Sequence, residues 1–312
     1  MESQRKEYGR ALIELGAKNK DMVVLDADLS VSTRTGEFGK VYPDRFFNCG
    51  VAEANMVTTA AGLAISGRLV FASTFAVFLT GLTYNQVRQS IAYARANVKL
   101  VASHAGLSVG PDGATHQMLE DIGLMRGLPN MTVIVPADAN ETYEATHALA
   151  SFTGPGYMRF SRSDVPSIAE YNKQFKIGKA AVLRDGSDLS IIACGQLVHA
   201  ALEAANRLQR EGISASVVNM STIKPIDTET LEAQAKKTGA IVTAEEHSVV
   251  NGLGDAVCSA LSLSNPTPVE KVGTNDVFGE SGEAQELLIK YGLSPDGIAG
   301  AARKVLKRKG MI

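Results

Sequence analysis

Between Ser103 and His116 the chain reads SHAGLSVGPDGATH, with His104, Asp112 and His116 spaced by the turn formers Gly106, Gly110, Pro111 and Gly113. Connections in compact domains are usually short, and long ones tend to carry function. A glycine-rich run set between a strand pattern and a helix expected to open at Gln117 therefore reads as a binding loop. Taken singly, each histidine is a surface or cap residue. Together, two imidazoles could donate to substrate oxygens while the carboxylate accepts from a substrate hydroxyl. A second candidate lies in CGVAEANM, which places Glu53 at the start of a helix of small apolar residues. A carboxylate there is favoured by the helix dipole, so capping is its ordinary role. If partly buried, the same acid could share a proton with a ligand nitrogen, because desolvation raises its pKa. Phe75 and Phe78 follow a strand at a spacing that puts both rings on one side of a helical turn. Such a pair is usually core, but it could wall a flat heteroaromatic ring. Tyr84, Asn85, Gln86 and Arg88 then read as an amphipathic helix. Arg162, in RFSR, offers a planar, permanently charged fork that suits phosphate and equally suits a surface ion pair.

These groups need a scaffold, and the chain supplies one by alternating β-rich runs with helical patterns from end to end, the mark of an α/β fold with mainly parallel sheets. MVVLDAD, RLVFAST, VKLVASH, MTVIVPAD and GYMRFSR are strand candidates, with helices over Arg5 to Ala17 and Ala52 to Ile65. Asp28, Phe75, His104, Asp138 and Arg162 all fall just past strand ends, the edge where parallel α/β sheets bind ligands. A polar stretch with Pro166, Tyr171, Asn172 and Lys173 reads as a linker. A second set follows: DLSIIACG, a helix over Leu197 to Gln209, ISASVVNMS, GAIVTAEEH, a helix near Gly254 to Ser262, and VEKVGTN. It holds no comparable cluster apart from Glu245, Glu246 and His247. The expectation is two α/β domains, each a mainly parallel sheet flanked by helices, over residues 1–165 and 181–312, with a linker at 166–180.

The 312 residues carry 31 basic and 33 acidic side chains, a formal net charge of −2. That balance makes no electrostatic case for nucleic acid or an anionic membrane surface, so any anion site must be local. Cys49, Cys194 and Cys258 lack metal-ligand and disulfide spacing and read as small buried hydrophobes in a reducing compartment. MESQRKEYGR has no apolar leader, and the longest apolar stretch, Leu69 to Leu82, is too short to span a bilayer. A cytoplasmic protein is expected.

GVAEANM, FASTF, SHAGLSVGPDGATHQMLED and RFSR, in this order and at these separations, resemble the pyrimidine-binding and C-terminal domains of transketolase over nearly the whole chain. Each motif is weak alone and the ordered set is strong. The resemblance implies thiamine diphosphate as cofactor, with Glu53 at its N1′, Phe75 and Phe78 beside the pyrimidine, and Asp28 and Leu29 on the thiazolium side. It carries a sugar-phosphate clamp onto Arg5, Ser32, His104 and Arg162, and it sets Asp112 and His116 at substrate hydroxyls. Glu53 and His116 become the catalytic pair. Two departures stand out. Gly81 occupies a position where many members carry a third aromatic, with an apparent insertion before Tyr84. The family's diphosphate domain, with its GDG motif and metal-holding Asn, is missing, and Gly254-Asp255-Ala256 does not fit it. No metal ligand is therefore expected here. The resemblance implies the C-terminal subunit of a split transketolase, moving a two-carbon ketol unit between sugar phosphates. Mg2+ would be held by a separate N-terminal subunit, and this chain would form a homodimer within a heterotetramer. Other readings are a 1-deoxyxylulose-5-phosphate synthase-like subunit, the β-subunit of a 2-oxo-acid dehydrogenase, and a non-catalytic partner. His104 with Arg162 argues against the dehydrogenase, and intact Glu53, Asp112 and His116 weigh against the non-catalytic partner.

Overall fold

The computed structural model describes residues 1–168, 170–171 and 174–310. Asn172 and Lys173 of the expected linker lie outside them. Among the described residues twelve strands form two sheets. In chain order they are β1 (Met22–Asp26), β2 (Phe46–Asn48), β3 (Leu69–Phe75), β4 (Val98–Ser103), β5 (Thr132–Ile134), β6 (Gly156–Arg159), β7 (Ala181–Arg184), β8 (Leu189–Ala193), β9 (Ala215–Asn219), β10 (Thr222–Lys224), β11 (Ile241–Ser248) and β12 (Val269–Thr274). The larger sheet has the order β10-β5-β6-β4-β3-β1-β2 and the smaller β12-β11-β8-β9-β7. Every pairing is parallel except β10 with β5 and β7 with β9. β1, β3 and β4 are buried along their whole length, as central strands covered on both faces must be.

Helices supply that cover. The Gln4–Lys18 helix buries Tyr8, Leu12 and Leu15 and lies against the Ala139–Ser151 helix. On the other face the Glu53–Ile65 helix buries Met56, Val57, Ala60 and Ala61 over β3. Small residues, Ala60 and Ala61, sit on the buried face of that helix.

The two domains interlock. β10 comes from the second half of the chain but pairs with β5 of the first sheet. Asp121 receives Tyr157 Oη at 2.6 Å and Arg159 Nη1 at 3.2 Å, all of them buried. Arg159 also donates to the Glu246 carbonyl of β11 at 3.1 Å. The amides of Ser248 and Gly123 reach across to the Leu119 carbonyl and to His247 Nε2, at 2.8 and 3.3 Å.

Three local expectations change. The helix expected at Gln117 opens at Asp121, because Gln117 turns back to bond the Leu107, Gly110 and Glu280 carbonyls. The helix around Tyr84 is α only over Tyr84–Gln86, between π-helical segments at Val77–Leu82 and Val87–Tyr93. A π turn takes in one residue more than an α turn, so the chain here departs from a regular helix. Of the cysteines only Cys194 is fully buried, while Cys49 and Cys258 are half-buried, and all three are free thiols. Among the described residues no helix is long and apolar enough to cross a membrane.

Candidate active site

The polar groups gather at the carboxyl edge of the larger sheet. β4 ends at Ser103, and His104 follows with a left-handed backbone, φ +57°. That turn folds its ring onto Phe75, the last residue of β3, with centroids 3.7 Å apart and planes 18° from parallel. Phe75 in turn stacks on Phe78 at 6.1 Å and 14°, and Phe78 meets the edge of His116 at 5.5 Å. The adjacent ends of β3 and β4 and the loop after β4 thus present one continuous aromatic wall, Phe75 and Phe78 within it. Met118 is the nearest side chain to the space a Cβ on Gly81 would enter, at 4.0 Å, and it stands on the side where a third aromatic is absent.

His104 is buried, and its Nδ1 lies 2.9 Å from Ser103 Oγ. Burial first, then the charges of Arg5 and Arg162, push its pKa down to about 3. The ring is therefore a neutral donor or acceptor across the working range of pH. His116 is half-buried, with Nδ1 2.9 Å from Thr115 Oγ1, so its Nε2 remains for another partner.

Beside this wall opens a cleft of about 330 Å³ lined by Arg5, Ser108, Val109, Arg162 and Asp164 among others. Arg162 Nη1 donates to the Val109 carbonyl at 2.6 Å and lies 3.8 Å from Asp112 Oδ1. Arg5 Nη1 donates to the Ser32 carbonyl at 3.3 Å, while its buried Nε has no partner among the described residues. Burial, then Arg34, then Arg162 lower the Arg5 pKa, with Asp164 opposing. Cations held close enough to disfavour one another's charge, with a donor left over, make a site for an anion. Ser32 enters through its carbonyl, which orients Arg5.

Glu53 is the first residue of its helix, after Ala52 at the cap position. Its side chain is buried, and no hydrogen bond or ion pair holds it among the described residues. The capping role is thus not what the carboxylate does. A carboxylate with no protein partner among the described residues, at the start of a helix that packs against the strand and π turn bearing Phe75 and Phe78, is left to accept a hydrogen bond from a ligand.

Asp28 is exposed, with φ +64°, and is fixed by Asn48, whose Nδ2 donates to Asp28 Oδ1 at 3.0 Å and whose Oδ1 accepts the Asp28 amide at 3.1 Å. Leu29 follows half-buried, its amide donating to Asp26 Oδ1 at 2.6 Å. Asp26 is the residue that shapes this segment. It is fully buried at the end of β1 and also accepts from the Thr33 and Thr35 hydroxyls, each at 2.7 Å. Its place inside a strand pattern hid it, although an acid two residues before another in LDAD was a usable signal. Arg34 was also missed. It has φ +69° and a buried, unpartnered Nε, and it adds to the charge near Arg5. Asp138 leaves the candidate set, because it caps the Ala139–Ser151 helix through the Glu141 amide and bonds the Ile168 amide, both at 2.8 Å. Asp255 is also engaged, pairing with Lys271 and with the Asn251 amide.

Comparison with known proteins agrees over nearly the whole chain. The family described as "Transketolase, pyrimidine binding domain" matches residues 3–167, and "Transketolase, C-terminal domain" matches residues 178–298. A "putative transketolase C-terminal section" of Methanocaldococcus jannaschii is 48% identical over 308 residues, 98% of this chain and 96% of that protein. A "6-deoxy-6-sulfo-D-fructose transketolase subunit" of a Clostridium species is 41% identical over 305 residues, covering 98% and 95%. The solved structure of a split-gene transketolase, described as an inactive β4 tetramer, superposes with a TM-score of 0.92 at 50% identity, covering 98% of this chain and 99% of that one.

Proposed function

The chain belongs to the transketolase family, and from that premise we propose that it is the C-terminal subunit of a split, thiamine-diphosphate-dependent transketolase acting on sugars that end in an anion. Residues 1–165 serve as the pyrimidine-binding domain and 181–312 as the C-terminal domain, joined by the linker at 166–180. The observation that carries the reading is Glu53, a buried residue whose side chain has no protein partner among the described residues, on the same sheet edge as the Arg5–Arg162 cleft.

Thiamine diphosphate, when bound, supplies the electron sink for moving a two-carbon ketol unit. With the cofactor bound, Glu53 would face N1′ of the aminopyrimidine and exchange a proton with it. Phe75 and Phe78 form the apolar wall for that ring, and Asp28 and Leu29 edge the thiazolium side. His116 Nε2 and the Asp112 carboxylate orient sugar hydroxyls. Arg5, Arg162 and neutral His104 hold the terminal anion, with Ser32 fixing Arg5. Binding energy from that remote group is thereby used to place the reacting carbons. The sulfosugar relative fits the same logic, since a sulfonate, like a phosphate, is a compact oxyanion that a guanidinium fork can grip.

The diphosphate and Mg2+ are assigned to a separate N-terminal subunit, a division supported by the split-gene transketolase that this chain matches over 99% of that chain's length. The nearest trace of the family's GDG motif, Asp255, is already paired. The test is reconstitution. The purified chain, mixed with a subunit carrying that motif, thiamine diphosphate and Mg2+, should transfer ketol units between sugar phosphates, and neither subunit alone should do so. Transfer by the rigorously purified single chain would refute the division of labour.

A further inference from the structure

Ser108 sits in the middle of the loop that carries His104, Asp112 and His116, yet its amide donates out of the first domain, to Oε1 of Glu246 at 2.6 Å. Glu246 belongs to β11 of the second sheet and is 6% exposed. Its Oε2 accepts from Gln196 Nε2 at 2.5 Å, and its carbonyl accepts from Arg159, which is itself paired with Asp121. The acid is thus fixed from several sides on a rigid strand, and the loop is what it holds. Gly106 records how closely the two approach. It has φ +80°, and a Cβ at that position would overlap the Glu246 carboxylate.

The next residue passes the constraint on. The Val109 carbonyl accepts from Arg162 Nη1 at 2.6 Å, and the Ser108 carbonyl accepts from Ser163 Oγ at 3.2 Å. A run of bonds therefore leads from Glu246 through the Ser108–Val109 peptide to the guanidinium of the anion cleft. A buried hydrogen bond to an ionised acceptor is among the stronger ones a protein makes. Gln117 also reaches into the same turn, at the Leu107 and Gly110 carbonyls.

We infer that Glu246 of the second domain is a positioning residue for the anion cleft: it fixes the Ser108–Asp112 turn and through it aims Arg162 at the far end of the substrate. The inference rests on the reading of that cleft as the sugar-anion site. It also gives the second domain, which contributes no group to the chemistry itself, a defined part in the reaction.

The reconstituted complex tests it. Glu246→Ala should raise KM for a ketose phosphate about tenfold or more, the scale of one charge-assisted hydrogen bond, and kcat should change far less. Glu246→Gln, whose side-chain carbonyl can still accept the Ser108 amide, should return KM most of the way to the parental value. Exchange of the cofactor's C2 proton, which needs no sugar, should proceed at the parental rate in both variants. A parental KM in folded Glu246→Ala, or loss of C2-proton exchange in step with the rise in KM, overturns the inference. Should Glu246→Ala not fold, Gln196→Ala removes a half-buried restraint on the same carboxylate and should raise KM in the same direction, and a parental KM there counts against the role. If the parental complex transfers no ketol unit, the proposed function falls, and amide hydrogen exchange in the isolated chain still decides the positioning. Exchange at Ser108 should quicken about tenfold or more on loss of Glu246 while β4 amides keep their protection, and an unchanged Ser108 rate refutes it.

Discussion

Glu53 and His104 are both buried residues on the carboxyl edge, and they differ in what surrounds them. His104 has its proton driven off by burial and by the neighbouring arginines, which take its pKa down to about 3. Unfolded, the same imidazole titrates near 6.5. Between those values the unfolded chain binds the extra proton, so stability falls as pH drops through this window and is fully retained above it. The expected outcome is that His104→Gln flattens the pH dependence of unfolding free energy between about pH 6 and 4, by up to about 1.4 kcal/mol per pH unit. Chemical denaturation at stepped pH measures this, and parallel curves for parent and variant would contradict it. Glu53 is the opposite case, an acid whose side chain has no protein group to answer it. Glu53→Gln keeps the size and removes the titrating proton. C2-proton exchange in the reconstituted complex should fall steeply while the melting temperature moves little, whereas loss of a mere capping acid would cost up to ~1 kcal/mol of stability and leave the chemistry alone. Exchange at the parental rate would return Glu53 to a structural role. Arg162→Ala should weaken sugars with a terminal anion by about 1.5–3 kcal/mol and leave uncharged donors nearly untouched. Equal losses on both would remove Arg162 from the cleft.

At the scale of elements, the central strands were legible because each is a continuous apolar run bounded by turn formers, which is how a strand buried on both faces must read, whereas the short or half-exposed β2, β7 and β10 were not. The helices were legible where an apolar stripe repeats, as in Tyr8, Leu12 and Leu15. What could not be read was decided by partners far away in sequence. Gln117 looks like a helix opener until Glu280, 163 residues on, claims its amide. β10 is an ordinary short run until β5 pairs with it. Glu246 was visible as an acid at a strand end, but not the loop it holds. The same holds for Arg159 and Asp121, whose pairing across 38 residues anchors the domain interface. Because both are buried, removing one partner leaves an uncompensated charge, which costs roughly 3–5 kcal/mol. Asp121→Leu should therefore lower stability on that scale in urea titration, and Asp121→Leu combined with Arg159→Met should recover much of it. A double variant no more stable than the single one would show that the pair is not what the interface depends on.

Over the whole molecule, the distribution of exposed apolar side chains points to the surface that another chain must cover. Val31, Phe47, Val51 and Leu82 are 84, 41, 82 and 64% exposed. Scattered singly they would need no account. By topology, however, they lie at the carboxyl ends of the neighbouring strands β1, β2 and β3, in the segments that also hold Leu29, Glu53 and Phe78. The wall of Phe75 and Phe78 is thus bordered by an apolar rim facing solvent, in a chain whose net charge of −2 does little to keep copies apart. Covering that rim with another chain would take apolar surface out of water beside the proposed site. The expected state of the isolated chain is a homo-oligomer that is folded yet inert, with the N-terminal subunit completing the site. Sedimentation velocity of the purified chain should give at least twice the single-chain mass at micromolar concentration. Val51→Lys, on the rim but outside the proposed site, should lower that mass and abolish reconstituted ketol transfer, because a charge in a buried apolar contact is costly. Circular dichroism should show the parental fold in the variant. A monomeric parent chain, or a monomeric Val51→Lys chain that still reconstitutes full activity, would mean that the rim is ordinary surface.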